Sequence, residues 1–269
     1  MCLRPLQASH AIAEASRSVL TLLNCRSRLA NNDQLRESCH RAYWICFIVE
    51  YELHGYVVYA NSLISPMVHE VVPLPISHYN EPSMHWFLAE ISMRRLYIYA
   101  LGSVWKESGI VHEPGTVYEL GIVYEPMLIE VQQQQVCKWY ESLHPHVKFP
   151  EDTLPLLEPQ KAFLRLQYFG LRWLICWPAV VHLLTKEPDD EKQHADLLKF
   201  STEAIHYLIQ HILSAETLVQ QRHQMLFANL VGYVLLFSSM FPSIYNTFST
   251  SHYDALIPYS YTRLPYPGS

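Results

Sequence analysis

The chain has 269 residues, half of them hydrophobic and 16% charged, with 25 acidic against 19 basic side chains and a formal net charge of −6. That length buries a sizeable core, and the composition excludes a disordered tail. With no basic block to neutralise phosphates, the chain by itself is a poor binder of duplex DNA.

Only eight glycines occur. Long apolar-periodic runs with so little glycine point to helices rather than many short strands. The expected class is all-α: one multi-helix, bundle-like domain over residues 1–242 with irregular extended connections, then a C-terminal tail over 243–269. The first predicted helix covers 9–29, with Ser9 as its N-cap, and the polar run Asn31, Asn32, Asp33 ends it. The second, ESCHRAYWICFIVEYELHGYVV over 37–58, sets Ala42, Ile45, Cys46, Val49 and Leu53 on one helical stripe. Arg41, Glu50 and Glu52 fall off that stripe. Prolines 66, 73 and 75 then mark an extended stretch. A third helix starts near Pro82 and runs to about Ala100, with Glu90 and Arg94 spaced for an i, i+4 ion pair.

Next come three hexapeptides end to end, GIVHEP, GTVYEL and GIVYEP, over 109–126. A period of six rotates a helix by roughly 240° per copy, so Glu113, Glu119 and Glu125 diverge. In a strand the valines and glutamates would share a face, and one coil is too little for a β-helix. The expectation is a duplicated surface connection without chemistry. A fourth helix follows, MLIEVQQQQVCKWYESL, with Leu128, Val131, Val136, Trp139 and Leu143 apolar. After the proline-rich HPHVKFPEDTLP, a fifth helix, QKAFLRLQYFGLRWLICWP, runs into Pro178 and continues through AVVHLL. A sixth lies in the run KEPDDEKQHADLLKFSTEAIHYLIQHIL. The uncharged seventeen residues 225–241, MLFANLVGYVLLFSSMF, sit at the lower edge of membrane-spanning length. Asn229, Gly232, Ser238, Ser239, the terminating Pro242 and the absence of a flanking Lys/Arg cluster favour a buried core helix, so no membrane partner is expected.

The chemistry-bearing residues are dispersed. Six cysteines include no CxxC pair, and a chain this long needs no disulfides. Glu14 and Arg17 interrupt any apolar leader, so reduced thiols in an intracellular compartment are expected. Cys39 and Cys46 lie near His40 and His54, but seven helical residues rise about 10.5 Å, too far for two thiolates on one zinc. Glu50 and His54 lack a second pair. Asp189-Asp190-Glu191 is similar to the aspartate-rich motif of all-α terpene cyclases. Gln193 breaks that match, which leaves an acidic helix N-terminus. None of HExxH, GxSxG, Walker A or GxGxxG occurs.

One resemblance covers residues 16–241. The 37–58 segment, with Arg41, Tyr43, Trp44 and Glu50, resembles the Arg, aromatic–Trp and Glu helix of the fungal-specific transcription factor domain. That domain is the regulatory region of zinc binuclear cluster transcription factors. The similarity continues through VPLP (72–75) and EPSMHWFLAEISMRRL, with Glu90, Arg94 and Arg95. It returns at the Trp139–Tyr140 pair of VCKWYESLHPHVKFP and at FLRLQYFGLRWLICWPAV. The resemblance implies an all-α regulatory domain that modulates transcription in the nucleus through protein partners or a small-molecule effector. The motif residues then have structural or regulatory roles, with no catalytic site. Zinc and promoter DNA belong to a cluster of six closely spaced cysteines that this chain does not contain, so no cofactor is expected in it. The helices would pack around Trp44, Phe47, Trp86, Trp139, Trp173 and Trp177. The alternative is a small-molecule-binding or catalytic helical protein derived from that family, its 18 Tyr, 10 Phe and 6 Trp lining an apolar pocket.

Overall fold

Proline and short polar side chains set the helix starts. The computed structural model describes residues 5–54, 72–76, 82–107, 120–122, 124–188 and 190–220. Within them α1 spans Pro5–Asn24, α2 Arg26–Ala30, α3 Asp33–His54, α4 Pro82–Val104, α5 Pro126–Ser142, α6 Pro159–Thr185 and α7 Glu191–Gln220. Helices α4, α5 and α6 each begin on a proline, whose fixed φ suits the first turn and whose missing N–H would have no partner there. The α3 start is capped by Asn32, whose Oδ1 accepts from the Leu35 N–H at 2.9 Å. Asp190 does the same for the Gln193 N–H at 2.7 Å at the head of α7. Asp190 and Glu191 therefore lie at a helix N-terminus, as the sequence suggested. Ser9 is not a cap, because α1 already begins at Pro5. The helix predicted over 9–29 breaks at Cys25 into α1 and α2. The last residues of the predicted 37–58 helix, the seventh predicted helix over 225–241 and the tail lie outside the described residues.

The fold is all-α, as expected, with one small addition. Trp105–Glu107 (β1) pairs antiparallel with Leu120–Ile122 (β2), Trp105 opposite Ile122 and Glu107 opposite Leu120. The end of the second hexapeptide and the start of the third therefore form a strand, and 108–119 link two paired ends. The register shows what a safe deletion must keep. Removing 109–119 would leave Ser108 alone between Glu107 and Leu120, too short for a two-residue hairpin turn. Removing 110–119 leaves Ser108 and Gly109 to make it. We expect the 110–119 deletion to change the melting temperature little, since shortening a loop alters closure entropy only slightly; insoluble protein would show that the repeat carries packing.

Two apolar clusters hold most of the helices, and a third ties the far ends of α6 and α7. One joins α4, α5, α6, α7 and the loop residues Val147 and Phe149 around Trp139, Tyr168 and Trp173. The second joins α1, α3 and α4 around Tyr43, Trp44, Phe47 and Ile91. Near the α6 N-terminus, Ala162, Phe163 and Leu166 meet Ala215 and Leu218 of α7, so the two helices run antiparallel in the fold's most extensive pairing. Of the expected aromatic core, Trp44, Phe47, Trp139 and Trp173 are buried, while Trp86 and Trp177 pack partly exposed against it. Helix α6 is long and apolar enough to cross a membrane. Here α4, α5 and α7 cover it, and its residues from Ala162 to Leu171 are all buried.

The face that α3 buries differs from the predicted stripe. Ile45 is 51% exposed. The buried set is Cys39, Tyr43, Cys46, Phe47 and Glu50, with Trp44 beside it. Those positions follow i, i+4, i+7, i+8 and i+11, so they fall on one face. Glu50 lies on the buried face rather than off it. The fourth predicted helix is likewise rotated, for Val131 is exposed while Gln132 and Gln133 are buried.

Candidate functional site

Three groups of polar side chains organise the interior; the α3 residues of the resemblance fall in or beside the first, its α4 and α5 residues in the second, and its FLRLQYFGLRWLICWPAV stretch supplies the third. On α3, Glu37, Arg41 and Trp44 share a face at i, i+4 and i+7 and together clamp residues 73–76. Glu37 Oε1 accepts from Arg41 Nε at 2.9 Å and from the Ile76 N–H at 2.9 Å. Arg41 Nη2 donates to the Ile76 carbonyl at 3.0 Å, and Trp44 Nε1 to that of Pro73 at 2.9 Å. Pro73 and Pro75 have no N–H to pair, so side chains of a helix take the place of a neighbouring strand. The segment is held with Pro75 buried and with Leu74 and Ile76 facing solvent. Beside the clamp, Tyr43 is fully buried, and burial together with the Glu50 carboxylate raises its phenol well above the usual range.

The second group is built on α4. Glu90 and Arg94 are 1% and 2% exposed, and Oε1 of Glu90 accepts from Nε and meets Nη2 of Arg94 at 3.0 and 2.9 Å. Gln167 Nε2 of α6 donates to the same oxygen at 2.9 Å. The Arg94 guanidinium also lies over the rings of Tyr51 and Tyr97, 5.6 and 5.7 Å from their centroids. Burial pushes the Glu90 carboxyl up to about 7, against the Gln167 amide, which favours the carboxylate. The i, i+4 pair expected from the sequence is present, and it lies in the core. Arg95, next to it, is exposed and takes no part. Trp139 Nε1 donates to Ser92 Oγ at 2.8 Å and Tyr140 OH to the Phe149 carbonyl at 2.6 Å. That pair anchors α5 to α4 and to the loop before α6.

The third group is a polar belt around the middle of α6, which the sequence did not reveal. Four consecutive residues, Arg165 to Tyr168, are at most 1% exposed, and each reaches a different neighbour. Arg165 donates to the Asp152 and Leu154 carbonyls at 2.7 and 2.9 Å. The Leu166 carbonyl meets His211 Nδ1 of α7 at 2.8 Å. The Gln167 carbonyl accepts from Tyr97 OH of α4 at 2.9 Å. Tyr168 OH lies 3.1 Å from Glu151 and 2.9 Å from Arg172 Nη1. One turn on, Arg172 Nε donates to Gln133 Oε1 at 2.8 Å, and Gln133 Nε2 donates to the Arg172 carbonyl at 2.8 Å and to Cys176 Sγ at 3.0 Å. The Arg172 guanidinium sits 4.0 Å from the Tyr207 ring centroid. Burial and the Glu203 carboxylate push the Cys176 thiol up to about 12, so it is a neutral thiol rather than a nucleophile at pH 7. Burial pushes the His211 imidazole down to about 4, and a carbonyl partner requires that its Nδ1 carry the proton.

The five described cysteines, Cys25, Cys39, Cys46, Cys137 and Cys176, are free. His85 of α4 stacks on His144, centroids 3.7 Å apart and planes within 2°, with His146 5.0 Å from His144. Rings stacked face to face keep their nitrogens side by side rather than converging. Among the described residues no group of three His, Cys, Asp or Glu side chains is arranged to hold a metal ion. Comparison with family models, with curated proteins and with solved structures finds no match to this chain.

Proposed function

We propose that this chain is a regulatory domain of the fungal zinc-cluster transcription factor type, working in the nucleus through protein contacts and without a DNA-binding module of its own. The observation that carries the reading is the α3 clamp. Arg41 and Trp44, which the resemblance singles out, are spent on fixing residues 73–76, and that segment turns Leu74 and Ile76 to solvent. A rigid extended strip with apolar side chains outward suits recognition by another protein, because little ordering entropy remains to be lost on binding. The test is to fuse the chain to an unrelated DNA-binding module and measure reporter transcription in a fungal nucleus. We expect the fusion to change reporter output and Leu74→Asp/Ile76→Asp to abolish the change while leaving the circular dichroism spectrum intact.

A second reading, a small-molecule-binding or catalytic helical protein of the same descent, is favoured by two buried acceptors, Glu90 Oε2 and Gln167 Oε1, that have no donor among the described residues. Under it the reporter stays flat and a panel of cationic metabolites raises the melting temperature.

A further inference from the structure

The loop between α5 and α6 is held rigid and yet leaves two leucines outside. Prolines 150, 155 and 159 lie in or beside it, each with a fixed φ and no N–H to satisfy. Asp152 Oδ1 accepts from the Leu154 N–H at 3.1 Å, a turn closed by its own side chain. The buried Arg165 donates to the Asp152 and Leu154 carbonyls, Tyr168 OH reaches Glu151, and Leu156 packs against two of the core clusters. From this frame Leu154 and Leu157 project, 67 and 90% exposed. An exposed leucine on a loose loop needs no explanation. Two leucines held outward on a loop tied down at 151, 152, 154 and 156 do.

Three ion pairs set the charge of the surface around them. Glu151 meets Arg172 at 4.0 Å, Asp152 meets Arg165 at 3.4 Å and Glu158 meets Lys161 at 2.8 Å. In each pair the cation is the inner partner, its side chain 14, 0 and 21% exposed, and the carboxylate the outer one, at 50, 50 and 64%. The loop therefore presents two apolar side chains among three carboxylates.

We infer that the 150–158 loop docks into an apolar cleft, rimmed by lysine or arginine, on a different protein. An apolar centre with a polar rim is the ordinary anatomy of a protein interface, and complementary charge on the partner's rim sets orientation and on-rate. The Asp152 and Leu154 carbonyls and the Leu154 N–H are already taken, so recognition falls to side chains rather than to strand pairing. A second copy fits poorly as the occupant. With 25 acidic against 19 basic residues, this chain offers no basic block to form the rim. Nucleic acid or an anionic membrane is repelled by the same carboxylates. The loop is a different segment from the 73–76 strip, and the inference does not depend on a role in transcription.

The test replaces Leu157 with the photo-crosslinking residue p-benzoylphenylalanine in the full chain, in the cells that make it. The same replacement at the exposed Gln134 of α5 is the control. Leu157 is almost fully exposed, so its replacement leaves the core untouched. On irradiation, position 157 should join one other protein well above the control, at an apolar stretch flanked by Lys or Arg. Glu151→Lys/Glu158→Lys should cut that product at least about tenfold, because like charges brought together across an interface are strongly disfavoured. Glu151→Gln/Glu158→Gln, which keeps the size of both side chains, should cut it less and in the same direction. Circular dichroism melts check that both variants fold. No product above the control would overturn the inference. So would a product joined to a second copy of this chain, one mapped to a stretch without Lys or Arg, or one undiminished by both variants.

Discussion

Arg94→Met is expected to cost about 3–5 kcal/mol at pH 7.5, the usual loss when one partner of a buried ion pair is removed. The guanidinium is the cation that Glu90 Oε1 meets, at 2.9 and 3.0 Å, with both residues almost fully buried. Methionine keeps most of the stem's volume, so the loss reports charge more than packing. The variant leaves the protein two routes, to bury an uncompensated carboxylate or to protonate it. Protonating a carboxyl whose unfolded value is 4.5 costs about 4 kcal/mol at pH 7.5 but under about 1 kcal/mol near pH 5. The destabilisation should therefore shrink severalfold between those pH values in urea titrations. Glu90→Gln/Arg94→Met should remove that pH dependence. A loss below about 1 kcal/mol that does not vary with pH would mean that the pair is not coupled in the core.

How much of this was legible in the sequence depends on whether a residue's partner lies nearby in the chain. The helices were read from periodicity and punctuation, and the starts at Pro82, Pro126 and Pro159 agree with the local rules. The Glu90–Arg94 pair was visible because i, i+4 spacing on a helix fixes it. Its burial was not, since that depends on Gln167, 77 residues away. The orientation of α3 was misread because Ile45 is a better hydrophobe than Tyr43 or Trp44. Tertiary packing chose the two aromatics, whose rings meet edge to face with centroids 5.3 Å apart. On α6 the polar residues Arg165, Gln167 and Arg172 follow no single face, so periodicity could not group them. They are grouped by α4, α5, α7 and the 151–154 loop closing around the helix. The hexapeptides looked most like a device, yet the part of them that is described is a three-residue strand closing a connection, then Tyr124 packed against the main core cluster and Pro126 opening α5.

The same interior sets how stability responds to acid, and His211→Asn should expose it. In the folded chain the His211 imidazole stands at about 4 against 6.5 for an ordinary histidine, because burial opposes the charged form and outweighs the Leu166 carbonyl. A base with a depressed folded value gives stability that is complete above about 6.5 and is lost as pH falls toward 4. The shift corresponds to about 3 kcal/mol across that window. Glu90 acts in the opposite sense. Its folded value near 7 lies above the ordinary 4.5, so its contribution is complete below 4.5 and is lost as pH rises through 7. Between 4.5 and 6.5 the two slopes oppose each other, and they originate on adjacent α6 residues, since Leu166 holds His211 and Gln167 holds Glu90. Asparagine keeps an N–H donor for the Leu166 carbonyl but cannot take up a proton. At pH 7.5 His211→Asn should lose about 1–2 kcal/mol through lost packing and a poorer hydrogen bond. From pH 6.5 to 4 it should fall behind wild type less and less, and then overtake it, because only the Glu90 slope remains. Chemical denaturation at four or five pH values measures the crossing. Parallel curves for variant and wild type would show that His211 takes up its proton in the folded chain as readily as in the unfolded one.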